Sequence, residues 1–166
     1  MQRDPNATRP GETELGFDPA AQKDASLAFI GRIRTPWSRG NCPKNVRLAR
    51  ERGQGAWIEL AQEYEAGLQG LEKGQALVLI YWMNEARRDL ITQSPAQIDG
   101  VRGTFALRSP NRPNPLALSA VTIAAIDPKK GRIDIDGIDC FDGTPLVDMK
   151  PWVPTIDNPE KESGTP

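Results

Sequence analysis

Residues 75–84, QALVLIYWMN, form the most apolar run in the chain and set the class of fold open to it. The length of the run and its Val, Ile, Tyr and Trp content favour a buried strand over a helix. A second apolar run, LALSAVTIAAID (116–127), reads the same way. It is followed by PKKG (128–131), a turn with proline at its first position. RIDIDGID (132–139) then alternates Ile and Asp, as a strand with one wet face does. The two segments 116–127 and 132–139 therefore read as a hairpin. LAFIGRIR (27–34), AWIEL (56–60) and GTFALRS (103–109) complete a set of five or six strands. Tyr64, Leu68 and Leu71 recur at i, i+4 and i+7 and predict one short amphipathic helix, weakened by Gly67 and Gly70 and closed by Gly74. No βαβ alternation is present, so the expected fold is mainly β: a single β-barrel domain with one short helix and long loops.

The remaining segments read as connections. Residues 35–55 are rich in basic residues, glycine and proline and suggest a long surface loop. Residues 85–102 and the proline-punctuated 141–154 are read as loops as well. Residues 1–24 are polar, charged and rich in Pro and Gly, which predicts a disordered N-terminal arm. Residues 155–166 are read as a flexible C-terminal tail, leaving 25–154 as the folded domain.

The chain has 166 residues and a formal net charge of −1. It is long enough for one domain with a real core, and too balanced in charge for a polybasic tail. It contains no histidine. A Ser–His–Asp triad, a His-based acid–base pair and a His-ligated zinc site are thereby excluded. Cys42 and Cys140 read as two reduced thiols, and two cysteines cannot complete a Cys₄ zinc site. No run approaches the ~18 apolar residues of a membrane span, and no secretory h-region opens the chain. The expected setting is the cytoplasm. Neither a Rossmann glycine fingerprint nor a P-loop is present.

Four constellations carry candidate chemistry. Three prolines in Arg108–Pro115 stiffen a segment that also bears Arg108 and Arg112. Such a segment can present guanidinium forks to a carboxylate or phosphate, or can be a rigid connection with two solvated arginines. Asp134, Asp136, Asp139 and Asp142 are four carboxylates in nine residues. Pro145 stands where an EF-hand loop begun at Asp134 needs glutamate, so a calcium loop is not signalled. Asp134 and Asp136 read as solvated, and Asp139 and Asp142 as the better ligand contacts. In Asp142–Trp152, Gly143 permits positive φ and Thr144 can hold a polar ligand, while Asp148 and Lys150 can equally form a surface ion pair. Lys44, Arg47, Arg50 and Arg52 can touch nucleic-acid phosphates or simply be solvated.

Taken in order, IGRIRTPW (30–37), the following Pro-Lys-Asn, LVLIYW (77–82), GTFALRSPNRPNPLALS (103–119) and DGTPLVDMKPWVP (142–154) resemble the TsaA-like, or YaeB/TrmO-like, family. The resemblance covers about residues 28–154. It implies a small β-barrel that forms homodimers, binds S-adenosylmethionine and methylates N6 of threonylcarbamoyl-modified adenosine 37 of tRNA. It also implies cofactor contacts at Pro43, Lys44 and Asn45, at Met83 and Asn84, at Arg108 and Leu118, and at Asp139, Cys140, Phe141, Asp142, Gly143 and Thr144. Arg108 would pair with the methionine carboxylate, and backbone groups near Cys140–Asp142 would read adenine. The chain departs from the pattern at Lys44-Asn45 in place of Arg-Gln, at Met83 in place of His, and at Ala117 in place of Gly. No catalytic residue is assigned; Asp142 and Asp148 are candidates for accepting a proton. No metal and no membrane partner are expected. The alternatives are a non-catalytic cofactor- or RNA-binding module and a paralogue that methylates another acceptor.

Overall fold

The computed structural model describes residues 7–96 and 98–159. Six strands close a barrel: β2 (Gly31–Arg34), β3 (Ala56–Leu60), β4 (Ala76–Trp82), β7 (Leu116–Asp127), β8 (Arg132–Ile135) and β9 (Thr144–Pro151). Around the ring the order is β2-β3-β8-β7-β4-β9, with every neighbouring pair antiparallel. Three further strands, β1 (Thr13–Glu14), β5 (Leu90–Gln93) and β6 (Arg102–Gly103), form a small separate sheet in the order β1-β5-β6.

The barrel interior follows the period-two rule. Leu77 and Leu79 on β4, Val121 and Ile123 on β7, Ile133 on β8, Ile58 on β3, Ile33 on β2 and Leu146 on β9 are at most 1% exposed. Two long strands turn the corners. The first half of β7 pairs with β4 over residues 116–122, and the second half pairs with β8 over 123–127. β9 likewise joins β2 through 144–146 and β4 through 146–151. Closure depends on a close approach at Gly31, opposite Leu60. A Cβ there would lie 2.4 Å from the Glu59 carbonyl oxygen.

The strands at 56–60, 76–82 and 116–127 and the 116–127/132–135 hairpin stand where the sequence suggests, with Ile126 opposite Ile133 across the turn. The first barrel strand begins at Gly31 rather than Leu27, and β8 ends at Ile135 rather than Asp139. Five expectations need correction. Residues 141–154 are not a loop, because β9 closes the ring. Its prolines misled: Pro145 and Pro151 are the second and last residues, leaving Leu146–Lys150 with their amide donors. Residues 35–55 contain helix α1 (Val46–Arg52). The Asn45 side chain caps it by accepting from Leu48 N at 2.9 Å, and Gly53 ends it at φ 60°. Residues 85–102 contain β5. GTFALRS contributes only the end of β6 and a 3₁₀ turn at Thr104–Ala106, despite its alternation. Finally, the helix expected around 64–71 is a 3₁₀ segment, Gln62–Leu68.

Within the stretch expected to be a disordered arm, residues 9–15 make specific contacts at the small sheet. Thr13 pairs with Thr92, and Leu15 N donates to Asp89 O at 2.6 Å. A short helix α2 (Pro154–Asp157) follows β9. Among the described residues no helix is long and apolar enough to cross a membrane.

Candidate functional site

The corner of β7 creates the site. Before it reaches β8, the strand has β4 on one side and an unpaired edge on the other. Side chains take over that edge. Arg108 Nη2 donates to Leu118 O at 2.6 Å, and Arg50 Nη2 donates to Ala120 O at 2.8 Å. Asp136 accepts from Thr122 N at 2.9 Å and from Arg50 Nε at 2.7 Å. In a strand, the N–H and C=O of one residue point the same way. The amides of Leu118 and Ala120 therefore face the same side as the two guanidinium groups. Asp136 is not merely solvated, as its alternation with Ile suggested.

Above this edge lies a cavity of about 790 Å³. Helix α1 forms one wall through Val46, Arg47 and Arg50. Its close seat depends on Gly137, whose φ is 144° and whose Cβ would meet Arg50 N at 3.2 Å. The proline segment forms the opposite wall through Arg108, Ser109, Pro110 and Arg112. The prolines are not its sole restraint: Arg88 Nε donates to Pro113 O at 2.6 Å, Arg112 N to Arg87 O at 3.0 Å, and Gln93 Nε2 to Asn111 O at 2.7 Å. Tyr81 and Ser119 lie deeper, joined by a 3.0 Å hydroxyl–hydroxyl bond.

Of the residues implied by the resemblance, Pro43, Lys44, Asn45, Met83, Arg108, Leu118, Asp139 and Phe141 line this cavity together. Asn84, Cys140, Asp142, Gly143 and Thr144 are not on its wall. Most of these shape the loop that carries Asp139. The Cys140 carbonyl accepts from Thr35 Oγ1 at 2.9 Å, and Asp142 accepts from Thr35 N at 3.1 Å and pairs with Arg34 at 3.3 Å. Thr144 Oγ1 donates to Phe141 O at 2.7 Å, and Gly143 N to Ile33 O at 2.9 Å. Trp37 Nε1 adds a bond to Ile138 O at 2.9 Å. Asn84 sits in the turn after β4, where its N–H meets Trp82 O at 3.0 Å. Asp148 is on β9 opposite Ile80 and pairs with Lys150, so neither proton-acceptor candidate faces the cavity.

The four carboxylates of 134–142 diverge. Asp134 pairs with Arg132, Asp136 with Arg50 and Asp142 with Arg34. Asp139 alone among them lines the cavity, whose lining also includes Arg108, Arg47, Arg50, Arg112 and Lys44. Burial raises its pKa from the ordinary aspartate value, and a backbone hydrogen bond and then the charge of Arg108 partly oppose that. Burial likewise raises the Tyr81 phenol, which keeps its proton at neutral pH. The Cys42 thiol is pushed up to about 11 by burial and then by Asp139. The buried Cys140 thiol is raised too, so neither sulfur is an activated nucleophile.

Sequence reasoning gave no cavity role to Tyr81 or Cys42, whereas the strand entry at Leu116–Ser119, expected around the cofactor, does line the cavity. Tyr81 was within reach, since it shares the inward register of Leu77 and Leu79. Arg47 and Arg50 were noted as basic residues, but their common helix face appears only once α1 is known.

The model of the tRNA-methyltransferase O N-terminal domain matches residues 32–158. A Rhizobium radiobacter protein named "Probable S-adenosyl-L-methionine-binding protein VirR" is 38% identical over 147 residues, covering 88% of this chain and 81% of its own. An Archaeoglobus fulgidus protein named "S-adenosyl-L-methionine-binding protein" is 33% identical over 132 residues, covering 79% of this chain and 91% of its own. The crystal structure of TrmO from Pseudomonas aeruginosa superposes with a TM-score of 0.63 at 30% identity. That match covers 81% of this chain but 58% of the solved one, so this chain spans little more than half the length of that relative. With residues 32–158, most of its length, matched by the family model, this chain belongs to the tRNA-methyltransferase O N-terminal domain family.

Proposed function

We propose that this protein is an S-adenosylmethionine-dependent methyltransferase acting on RNA, with N6 of threonylcarbamoyl-modified adenosine 37 of tRNA as its acceptor. The observation that supports the reading most is the convergence of Pro43–Asn45, Met83, Arg108, Leu118, Asp139 and Phe141, from distant stretches of chain, on one cavity of about 790 Å³. That volume falls within the roughly 300–1,000 Å³ of small-molecule sites. The donor set fits the cofactor. Arg108 and Lys44 suit a carboxylate, and the half-buried Asp139 suits an ammonium or sulfonium charge. Met83, Leu118 and Phe141 offer apolar surface to an adenine ring, and the Leu118 amide offers it a donor.

When bound, S-adenosylmethionine supplies a methyl group on an electrophilic sulfonium carbon. The chain supplies position. One Arg108 N–H is held on the Leu118 carbonyl, which fixes the plane of the guanidinium and leaves its other donors for the ligand. The loop bearing Asp139 is held by Thr35 and Trp37. Tyr81 stays protonated and hydrogen-bonded to Ser119 at the bottom of the site. No general base is asked of the chain, and the acceptor proton leaves to water. A homodimer and a cytoplasmic tRNA partner are part of the same proposal.

Calorimetric titration with S-adenosylmethionine tests the reading. Saturable binding, weakened about tenfold or more by Arg108→Ala, is expected from loss of a charge-assisted contact. No heat at millimolar ligand would remove the methyltransferase reading. Binding without label transfer from methyl-tritiated cofactor to tRNA would favour a non-catalytic module instead.

A further inference from the structure

A second cavity, of about 430 Å³, adjoins the first. Lys44, Arg108, Ser109 and Pro110 line both, so the two spaces meet along one shared wall. Ala7, Arg9 and Glu12 also line the second cavity. Those residues precede the 32–158 stretch matched by the family model.

This wall is built, not draped. Arg9 Nη1 donates to Ser94 O at 3.0 Å. The Glu12 carboxylate accepts from Arg9 N at 2.8 Å and from Ser94 N at 3.0 Å. Thr13 pairs with Thr92, and Leu15 N reaches Asp89 O. Arg9 and Lys44 therefore face a space they share with Arg108 and Arg87. Arg87 is offset by Asp89 at 2.8 Å and by Glu14 at 2.6 Å. The other three cations meet one carboxylate on the wall, Glu12, and backbone amides occupy it. Leu90, Ile98, Leu107 and Pro95 supply an apolar surface beside that positive rim, with the Gln93 and Asn111 amides between.

We propose that this second cavity holds the acceptor nucleotide of an RNA strand, and that the N-terminal segment 7–15 selects it. The proposal rests on reading the first cavity as the cofactor site. Apolar side chains suit the face of a base, amides suit its edge, and a positive rim suits the flanking phosphates. Displacement at carbon needs the two reactants within about 3–3.5 Å. Two cavities lined in common by Lys44, Arg108, Ser109 and Pro110 are neighbours, as a cofactor subsite and an acceptor subsite must be.

The test is the anisotropy of a fluorescein-labelled tRNA anticodon stem-loop titrated with the full chain, with Arg9→Glu and Ala96→Trp. Ala96 is exposed and lines the second cavity, not the first, so the indole blocks that space at little cost to folding. Cofactor affinity by calorimetry and the Tm are measured in parallel. The expected result is an RNA affinity about tenfold lower in each variant, with wild-type binding that weakens as salt rises. Cofactor affinity and Tm stay at wild-type values. Should Arg9→Glu lower the Tm, Ala96→Trp decides alone. Wild-type RNA affinity in Ala96→Trp, or no RNA binding by the wild type, overturns the proposal. Failure of the wild type to bind cofactor, with the RNA results intact, would remove the cofactor reading and leave the RNA site standing.

Discussion

The two cavities share a wall but are held in place by different forces. The first rests on barrel strands and on α1, and its deepest residues join a core in which Leu77, Leu79 and Ile133 are fully buried. The second is completed by a segment held by one short strand pairing and a handful of side chain–backbone bonds. A wall that belongs to the core cannot change without unfolding the barrel. A wall fastened at the surface can be altered, or replaced, at small cost to stability. The pair shows how one scaffold can keep a fixed ligand site while varying what is presented to it.

The sharpest way to break that contrast is to cut beneath each cavity in turn. Leu79→Ala, under the first, is expected to cost about 2–5 kcal/mol in urea unfolding, because the closed barrel cannot collapse around the void. A smaller cost, near that of a surface substitution, would show that the first site does not depend on the core. Gly31→Ala comes next. Its Cβ would press on the Glu59 carbonyl and force β2 from β3, an overpacking cost of about 1–3 kcal/mol, read in the same experiment. Tyr81→Phe leaves the Ser119 hydroxyl without its partner at the bottom of the first cavity and should cost about 1 kcal/mol. Glu14→Gln, which weakens the pairing of the N-terminal segment with Arg87, should move the Tm by no more than about 2 °C. A loss as large as that of Leu79→Ala would mean that the segment is part of the cooperative fold, and the contrast would fail.

Asp139 sharpens the comparison through pH. Its folded pKa is raised by burial above the ordinary value of about 3.9. Below the ordinary value the group is neutral both folded and unfolded, and burial carries no charge penalty. As pH rises through the folded pKa, the stability linked to the raised value is lost. Asp139→Asn should therefore gain stability relative to the wild type at pH 7 and gain nothing at pH 3, as thermal scans at the two values will show. Cofactor affinity should run the other way, falling in the wild type as the carboxylate protonates and becoming insensitive to pH in the variant. Equal pH dependence in both proteins would assign the titration to another group.

The barrel was legible where hydrophobic alternation and β-branched content agreed, as in β4, β7 and the start of β8. It was illegible where proline and arginine masked the signal. β9 carries two prolines and reads as punctuation, yet both lie near its ends and the ladder between them is intact. α1 has too few apolar residues for a clear stripe, and its caps, Asn45 and Gly53, were the readable marks. The opposite error occurred at 103–109, where only Gly103 pairs with a neighbouring strand and the chain then turns into a 3₁₀ segment. The resemblance gathered eight cavity residues, but it did not separate those facing the space from those, like Asp142 and Thr144, that hold the loop behind them. Nor did composition signal that residues 7–15 bind back onto the domain. Their contacts are polar and specific, and they leave no hydrophobic pattern.

The unpaired stretch of β7 has a consequence outside ligand binding. An exposed strand edge with free amides and carbonyls is a template on which another chain can add a strand, the first step towards aggregation. Here the edge is flanked by the exposed apolar residues Leu116 and Leu118, which would favour such an addition. Arg108 and Arg50 take up its carbonyls at 2.6 and 2.8 Å and set two positive charges beside it. The same guanidinium groups that suit an anionic ligand thus act as gatekeepers against self-association, and a variant lacking both would put the solubility of the protein at risk along with its affinity.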